Sequence, residues 1–253
     1  MKFTMNGKKL KEMIETSLLK GKYNEGLTST KSQLGDVVRI SAEKDKVLVE
    51  NADFSTYICI SKQATVESEG HISMSATSIV KYLPDETCVF VLSGGVLSVN
   101  FGNSVAEVPC AETHTSAHVI QRFSNIAGLS PSERMHNLQV TEKLRLDTRV
   151  NVNNQELISA LTSAEKVGHS VYTLTNTDEH MILTSVRDSE RFSSNIERYN
   201  DCTRDAIVSF SLPIMKALSM GTQINTDIYY DDEMPIVFYN HPVVILRAPR
   251  QSN

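Results

Sequence analysis

The chain says the same thing twice. An amphipathic helix over Leu10–Leu19, followed by short alternating strands, returns as a helix over Asn154–Lys166 with strands behind it. Each half then holds a second, shorter helix, Ala76–Leu83 and Leu212–Met220, again followed by strands. Four helix-then-strands units in one chain indicate a duplicated architecture. The expected class is α+β, with two similar domains each made of two strand-helix-strands units.

The local signals agree with that order. Leu10, Met13, Ile14 and Leu18 fall at helical spacing behind a strand at Phe3–Met5, and Asn6 is placed to cap the helix. Leu157, Ile158, Leu161 and Ala164 repeat the spacing in the second half. Runs rich in β-branched and aromatic residues predict strands at Val37–Ile40, Val47–Val49, Phe54–Ile60, Ile72–Met74, Thr87–Leu92, Val96–Phe101 and Ser104–Val108. The second half gives Thr148–Val152, Ser170–Thr175, Met181–Val186, Phe192–Arg198, Ala206–Ser211, Thr226–Tyr230, Ile236–Tyr239 and Val243–Leu246. Gly94-Gly95 between two such runs predicts a hairpin turn, which accounts for both glycines without a ligand. From Ala111 to about Leu144 periodicity fades, yet Val119, Ile120, Phe123, Ile126 and Leu129 remain. A free linker does not spend apolar residues this way, so a connector lying against a surface is expected. The domain expectation is 1–112, a connector at 113–145, and 146–253.

Composition narrows the function classes. With 40% hydrophobic and 22% charged residues the chain reads as globular and soluble, and no apolar run approaches a membrane span. It is expected to stay in the compartment where it is made. Cys59, Cys88, Cys110 and Cys202 are far apart and form no metal-ligand spacing, which fits thiols in a reducing compartment. The net charge of −5 argues against a simple basic DNA-gripping domain. Location changes the picture: Lys8, Lys9, Lys11, Lys20 and Lys22 crowd the first helix, whereas Asp227, Asp231, Asp232 and Glu233 lie in a stretch without a base. Lys81, Lys166 and Lys216 add a cation to each of the other helices.

Catalytic signals are weak. No glycine-rich phosphate loop with Lys and Ser/Thr is present, so nucleotide chemistry by that route is not expected, and neither is a cofactor or metal. Asp178, Glu179 and His180 form the densest acid and imidazole cluster, and Asp178, His180 and Asp188 support an alternative reading as an α+β hydrolase or transferase. That cluster sits between two strands, where polar turn residues are expected in any case. His114, His118 and His136 are too irregularly spaced for a zinc site.

Glu233-Met234-Pro235-Ile236-Val237-Phe238-Tyr239 and Ile245-Leu246-Arg247-Ala248-Pro249-Arg250 resemble the apolar-Pro-apolar strand and Ala-Pro-basic ending of the sliding clamps of the proliferating cell nuclear antigen family, of archaeal, eukaryotic or viral type. Val47-Leu48-Val49-Glu50-Asn51-Ala52-Asp53, behind a strand and a basic helix, resembles the first domain of these clamps and, more faintly, the bacterial β clamp. The resemblance implies a non-enzymatic DNA polymerase processivity factor: a homotrimeric ring with helices inside and sheets outside, around duplex DNA. It also implies an ATP-dependent loader and an intracellular location with DNA. The DNA-facing set would be Lys8, Lys9, Lys11, Lys20, Lys81, Lys166 and Lys216. Polymerases and other replication and repair proteins would dock short apolar peptides in a groove of Val119, Ile120, Phe123, Met234, Pro235, Leu246, Ala248 and Pro249. Arg247 departs from the family, which has an apolar residue there; read as a wall of the groove, it alters the pocket. Subunits would meet edge to edge through Val105 and Val108 on one side and Phe192, Asn195 and Ile196 on the other.

Overall fold

The computed structural model describes residues 1–19, 36–53, 55–110, 144, 146–167, 171–177, 180–187, 189–200, 205–211 and 214–249. The chain divides into two compact units, Met1–Ser132 and Glu133–Asn253. Residues 113–143 of the expected connector lie outside the described residues.

The first unit runs β1 (Lys2–Asn6), α1 (Gly7–Ser17), β2 (Val37–Glu43), β3 (Lys46–Ala52), β4 (Thr56–Gln63), β5 (Thr65–Ser68), β6 (Gly70–Ser75), α2 (Ala76–Val80), β7 (Thr87–Ser93), β8 (Val96–Phe101) and β9 (Ser104–Pro109). The second runs β10 (Thr148–Asn153), α3 (Asn154–Lys166), β11 (Val171–Asn176), β12 (Met181–Arg187), β13 (Glu190–Ile196), β14 (Ala206–Ser211), α4 (Met215–Leu218), β15 (Asn225–Tyr230), β16 (Ile236–Asn240) and β17 (Val243–Arg247).

The pairing shows the duplication directly. In each unit the strand before one helix crosses to join the strands that follow the other helix. β1 lies beside β7 in the order β1-β7-β8-β9, and β6 lies beside β2 in the order β6-β2-β3-β4. The second unit repeats this as β10-β15-β16-β17 and β14-β11-β12-β13. All these pairs are antiparallel. Each half-unit therefore lends a strand to the other.

Local chemistry explains where the helices start. Asn6 Oδ1 accepts from the Lys9 N–H at 3.1 Å, and Asn153 Oδ1 accepts from Gln155 and Glu156 at 2.9 and 3.2 Å. Both satisfy first-turn donors that the helix itself cannot. Leu10, Met13 and Ile14 of α1, and Leu157, Ala160, Leu161 and Ala164 of α3, are buried at the helical period. Strands alternate: β10 and β11 bury every second residue. The core of the second unit is knit across its two ladders by Tyr172, Phe210 and Phe238, with ring centroids 5.9 and 5.5 Å apart.

α1 starts and ends earlier than expected, at Gly7–Ser17, β13 likewise at Glu190–Ile196, and three further features differ from the sequence expectation. α2 stops at Val80, because Tyr82 and Leu83 donate to Ile79 and Val80 in tighter i+3 turns ahead of Pro84. α4 is confined to Met215–Leu218. Polar β5, unanticipated, pairs with the outer edge of β1. In the second unit the same task falls to the chain after β13, where Arg198 bridges Val152 and Tyr199 N–H donates to Asn151 at 2.9 Å.

Candidate nucleic-acid and partner interfaces

In the first unit α1 packs against α2, β3 and β4 through its apolar face, which leaves its lysines outward. Lys8, Lys9 and Lys81 are exposed and Lys11 is half-buried. α1 begins where α2 has just ended: Gly7 N–H donates to the Glu86 carbonyl at 2.9 Å. Lys8 Nζ lies 3.0 Å from Asp85 Oδ2, and that hydrogen bond raises the lysine pKa while holding the Asp85 carboxyl below its usual range. Lys11 lies 4.0 Å from Glu15, and Glu12 lies 3.5 Å from Lys62. The Lys81 ammonium sits 4.9 Å from the Tyr82 ring centroid. Lys9 has no carboxylate at ion-pair distance among the described residues. In the second unit Lys166 ends α3 and Lys216 lies on α4, both exposed. Lys20 lies outside the described residues. Sequence reasoning missed Asp85 as the partner of Lys8, and a separation of 77 positions gives no local signal.

The carboxy-terminal hairpin carries five of the eight residues of the expected peptide groove. Ile236 pairs with Arg247 at the end of β16 and β17, so Met234-Pro235 and Ala248-Pro249 continue from the same end. All four are half-buried. Leu246 pairs with Val237 and shares its face. Arg247 does not wall that face. It shares the opposite one with Ile236, is buried, and donates from Nη2 to the Ser211 hydroxyl, tying β17 to the end of β14. Alternation along the strand turns neighbouring side chains to opposite faces, which corrects the pocket role that the motif alone gave Arg247. Val119, Ile120 and Phe123 lie outside the described residues.

β9 and β13 each end a ladder, in the orders β7-β8-β9 and β11-β12-β13. Val105 is 62% exposed and Asn195 is exposed, while Phe192 is half-buried. Val108 and Ile196 are buried inside their own units. Cys110 N–H donates back to Gly95 at 2.9 Å, so alternation turns the backbone groups of Val105, Glu107 and Pro109 outward, away from β8. Pro109 then costs no internal hydrogen bond.

Among the described residues nothing favours the catalytic alternative. His180 closes a turn, its N–H and C=O both bonded to Thr177, while Asp178 and Asp188 lie outside the described residues. No metal-binding group of His, Cys, Asp and Glu occurs among the described residues.

Solved structures share this architecture over the whole chain. The DNA polymerase III β subunit of Thermotoga maritima matches with a TM-score of 0.70 at 15% identity, covering 100% of this chain and 66% of that one. The DNA polymerase sliding clamp of Bacillus subtilis matches at 0.72 and 14% identity, covering 100% and 65%. The fold is that of the sliding clamps. The β subunit from Pseudomonas aeruginosa gives 0.73 at 9% identity, again over 100% of this chain and 66% of the other. This chain thus spans about two thirds of the length of these bacterial clamps. They extend the likeness to sliding clamps as a class, without singling out the proliferating cell nuclear antigen type. No family model and no curated protein matches the sequence.

Proposed function

We propose that this chain is a DNA polymerase processivity factor, a non-enzymatic sliding clamp that closes as a homotrimer around duplex DNA inside the cell. The observation that carries the reading is the sliding-clamp fold over the entire chain, built here from two duplicated units with outward lysines on their helices. Two units covering about two thirds of a bacterial clamp chain suit a ring of three copies, as the resemblance of the carboxy-terminal motif implies. Retention is topological. Exposed lysines make screened, individually weak phosphate contacts that leave the ring free to slide.

Polymerases and other replication and repair proteins dock a short apolar peptide at Met234, Pro235, Leu246, Ala248 and Pro249, beside the connector residues Val119, Ile120 and Phe123. An ATP-dependent loader opens the ring, since the sequence has no phosphate-binding loop of its own. Light scattering on the purified chain tests the assembly. The expected mass is that of three 28.2 kDa chains, and a monomer at micromolar concentration would sink the homotrimer.

A further inference from the structure

α1 and α3 hold equivalent places in the repeat, but the ends they share with their neighbouring helices carry opposite charge. Counting from the capping residues Asn6 and Asn153, Lys8 corresponds to Gln155 and Lys9 to Glu156. Lys81, which caps α2, corresponds to Ser219, which caps α4. Gly7 and Asn154 confirm the register, since each donates its N–H at 2.9 Å to the loop before the next strand, at Glu86 and Ile224. The first unit thus has three exposed lysines where the second has one glutamate and no lysine.

One carboxylate pairs directly with the lysine cluster, while Glu12, one turn along α1 and paired with Lys62, adds a weaker attraction on Lys8. Asp85 takes Lys8 at 3.0 Å, with Asn6 Nδ2 steadying its other oxygen at 3.5 Å. Lys9 is left without a carboxylate among the described residues, and Lys81 lies against the Tyr82 ring with no carboxylate at ion-pair distance among them. Gly7 fixes this arrangement, because a Cβ there would stand 2.5 Å from the Pro84 carbonyl oxygen. The close approach is what brings the residues after α2 within reach of Lys8.

Resting on the sliding-clamp reading, we propose that the junction of α1 and α2, carrying Lys8, Lys9 and Lys81, is the phosphate grip of each chain on duplex DNA. Asp85 acts as an internal counter-ion that occupies Lys8 and keeps the grip loose, and the matching junction of the second unit is a passive surface. A carboxylate at 3.0 Å competes with a DNA phosphate for the same ammonium, so the chain contributes two uncompensated cations rather than three. Loose contact suits a ring that is retained by closure and has to move.

The test is fluorescence anisotropy of a labelled linear duplex, onto whose ends a ring threads without a loader, across a potassium chloride series. Asp85→Asn is expected to tighten binding severalfold and steepen the salt dependence. Lys9→Ala with Lys81→Ala is expected to weaken binding about tenfold at low salt and to flatten the logarithmic slope by about one for each phosphate that is no longer neutralised. Lys166→Ala with Lys216→Ala, which removes helix lysines of the second unit away from its matching junction, is expected to weaken binding clearly less than the first-unit pair, by about threefold on the same reasoning. Equal losses in the two double variants overturn the assignment to the first unit, and an unchanged Asp85→Asn isotherm overturns the counter-ion role. Wild-type protein that fails to bind duplex at any salt overturns the clamp reading itself and this inference with it.

Discussion

Gly7 and Asn154 show how one position in a duplicated fold is solved by two kinds of chemistry. At Gly7 the missing side chain lets α1 meet the Pro84 carbonyl and the Cys88 sulfur. At Asn154 an amide fills the gap, donating to the Leu218 carbonyl at 3.3 Å and accepting from Thr226 at 2.8 Å. Asn240 extends that network by donating to the carbonyls of Gln223 and Asn225 and accepting from the Gln223 N–H. Asn240→Ala would strand these groups, and urea unfolding is expected to show a loss of about 2–3 kcal/mol. Arg247 calls for a different experiment. Because it is buried on the face away from Leu246 and bonded to Ser211, Arg247→Ala is expected to lower stability by roughly 2–4 kcal/mol through a cavity and an unsatisfied hydroxyl. Peptide affinity of the still-folded protein, read by fluorescence polarisation, should not change. A weakened peptide with intact stability would return Arg247 to the groove.

Elements that depend on neighbours in sequence were legible, and those that depend on distant contacts were not. Asn6 announces its helix because capping is a matter of three residues. Gly94 and Gly95 announce a hairpin because both need positive φ, 57° and 77° here. β14 at Ala206–Ser211 and α3 at Asn154–Lys166 match their expected bounds for the same reason. β5 is Thr-Val-Glu-Ser, with no apolar alternation to betray it, and exists because the edge of β1 needs a partner. The Lys8–Asp85 pair is likewise created by the fold. Edge strands β9 and β13 lie between these cases, for their alternation is local but their freedom to pair is a property of the whole sheet. If they join one chain to the next, Val105→Pro removes an outward donor without touching β8. The hairpin of β12 and β13, closed by Arg187 and Glu190, turns Asn195 outward by the same alternation, so Asn195→Pro acts on the partner edge. Both variants are expected to run as monomers in light scattering with unchanged circular dichroism. Trimers in both would place the subunit contact elsewhere.

At the scale of the molecule, charge and the proposed function pull against each other. A net charge of −5 repels DNA at long range, and the basic residues of the first unit's helices recover attraction only close to the surface, within a Debye length of about 8 Å at physiological salt. Such a protein, holding DNA by contacts alone, would be stripped by moderate salt, because each phosphate contact gives up a condensed counter-ion whose release loses its value as salt rises. Closure, as proposed, would remove that limit, since an intact ring has no route off a duplex without an end. The two mechanisms separate in one measurement. Protein is threaded onto a linear duplex biotinylated at both ends, half of the sample is then blocked with streptavidin, and both halves are washed at rising salt. A closed ring is expected to leave open-ended DNA as salt rises and to stay on blocked DNA well beyond that point, with release from blocked DNA following dissociation of the subunits. Should both samples lose protein at the same salt concentration, the chain grips DNA electrostatically and does not encircle it.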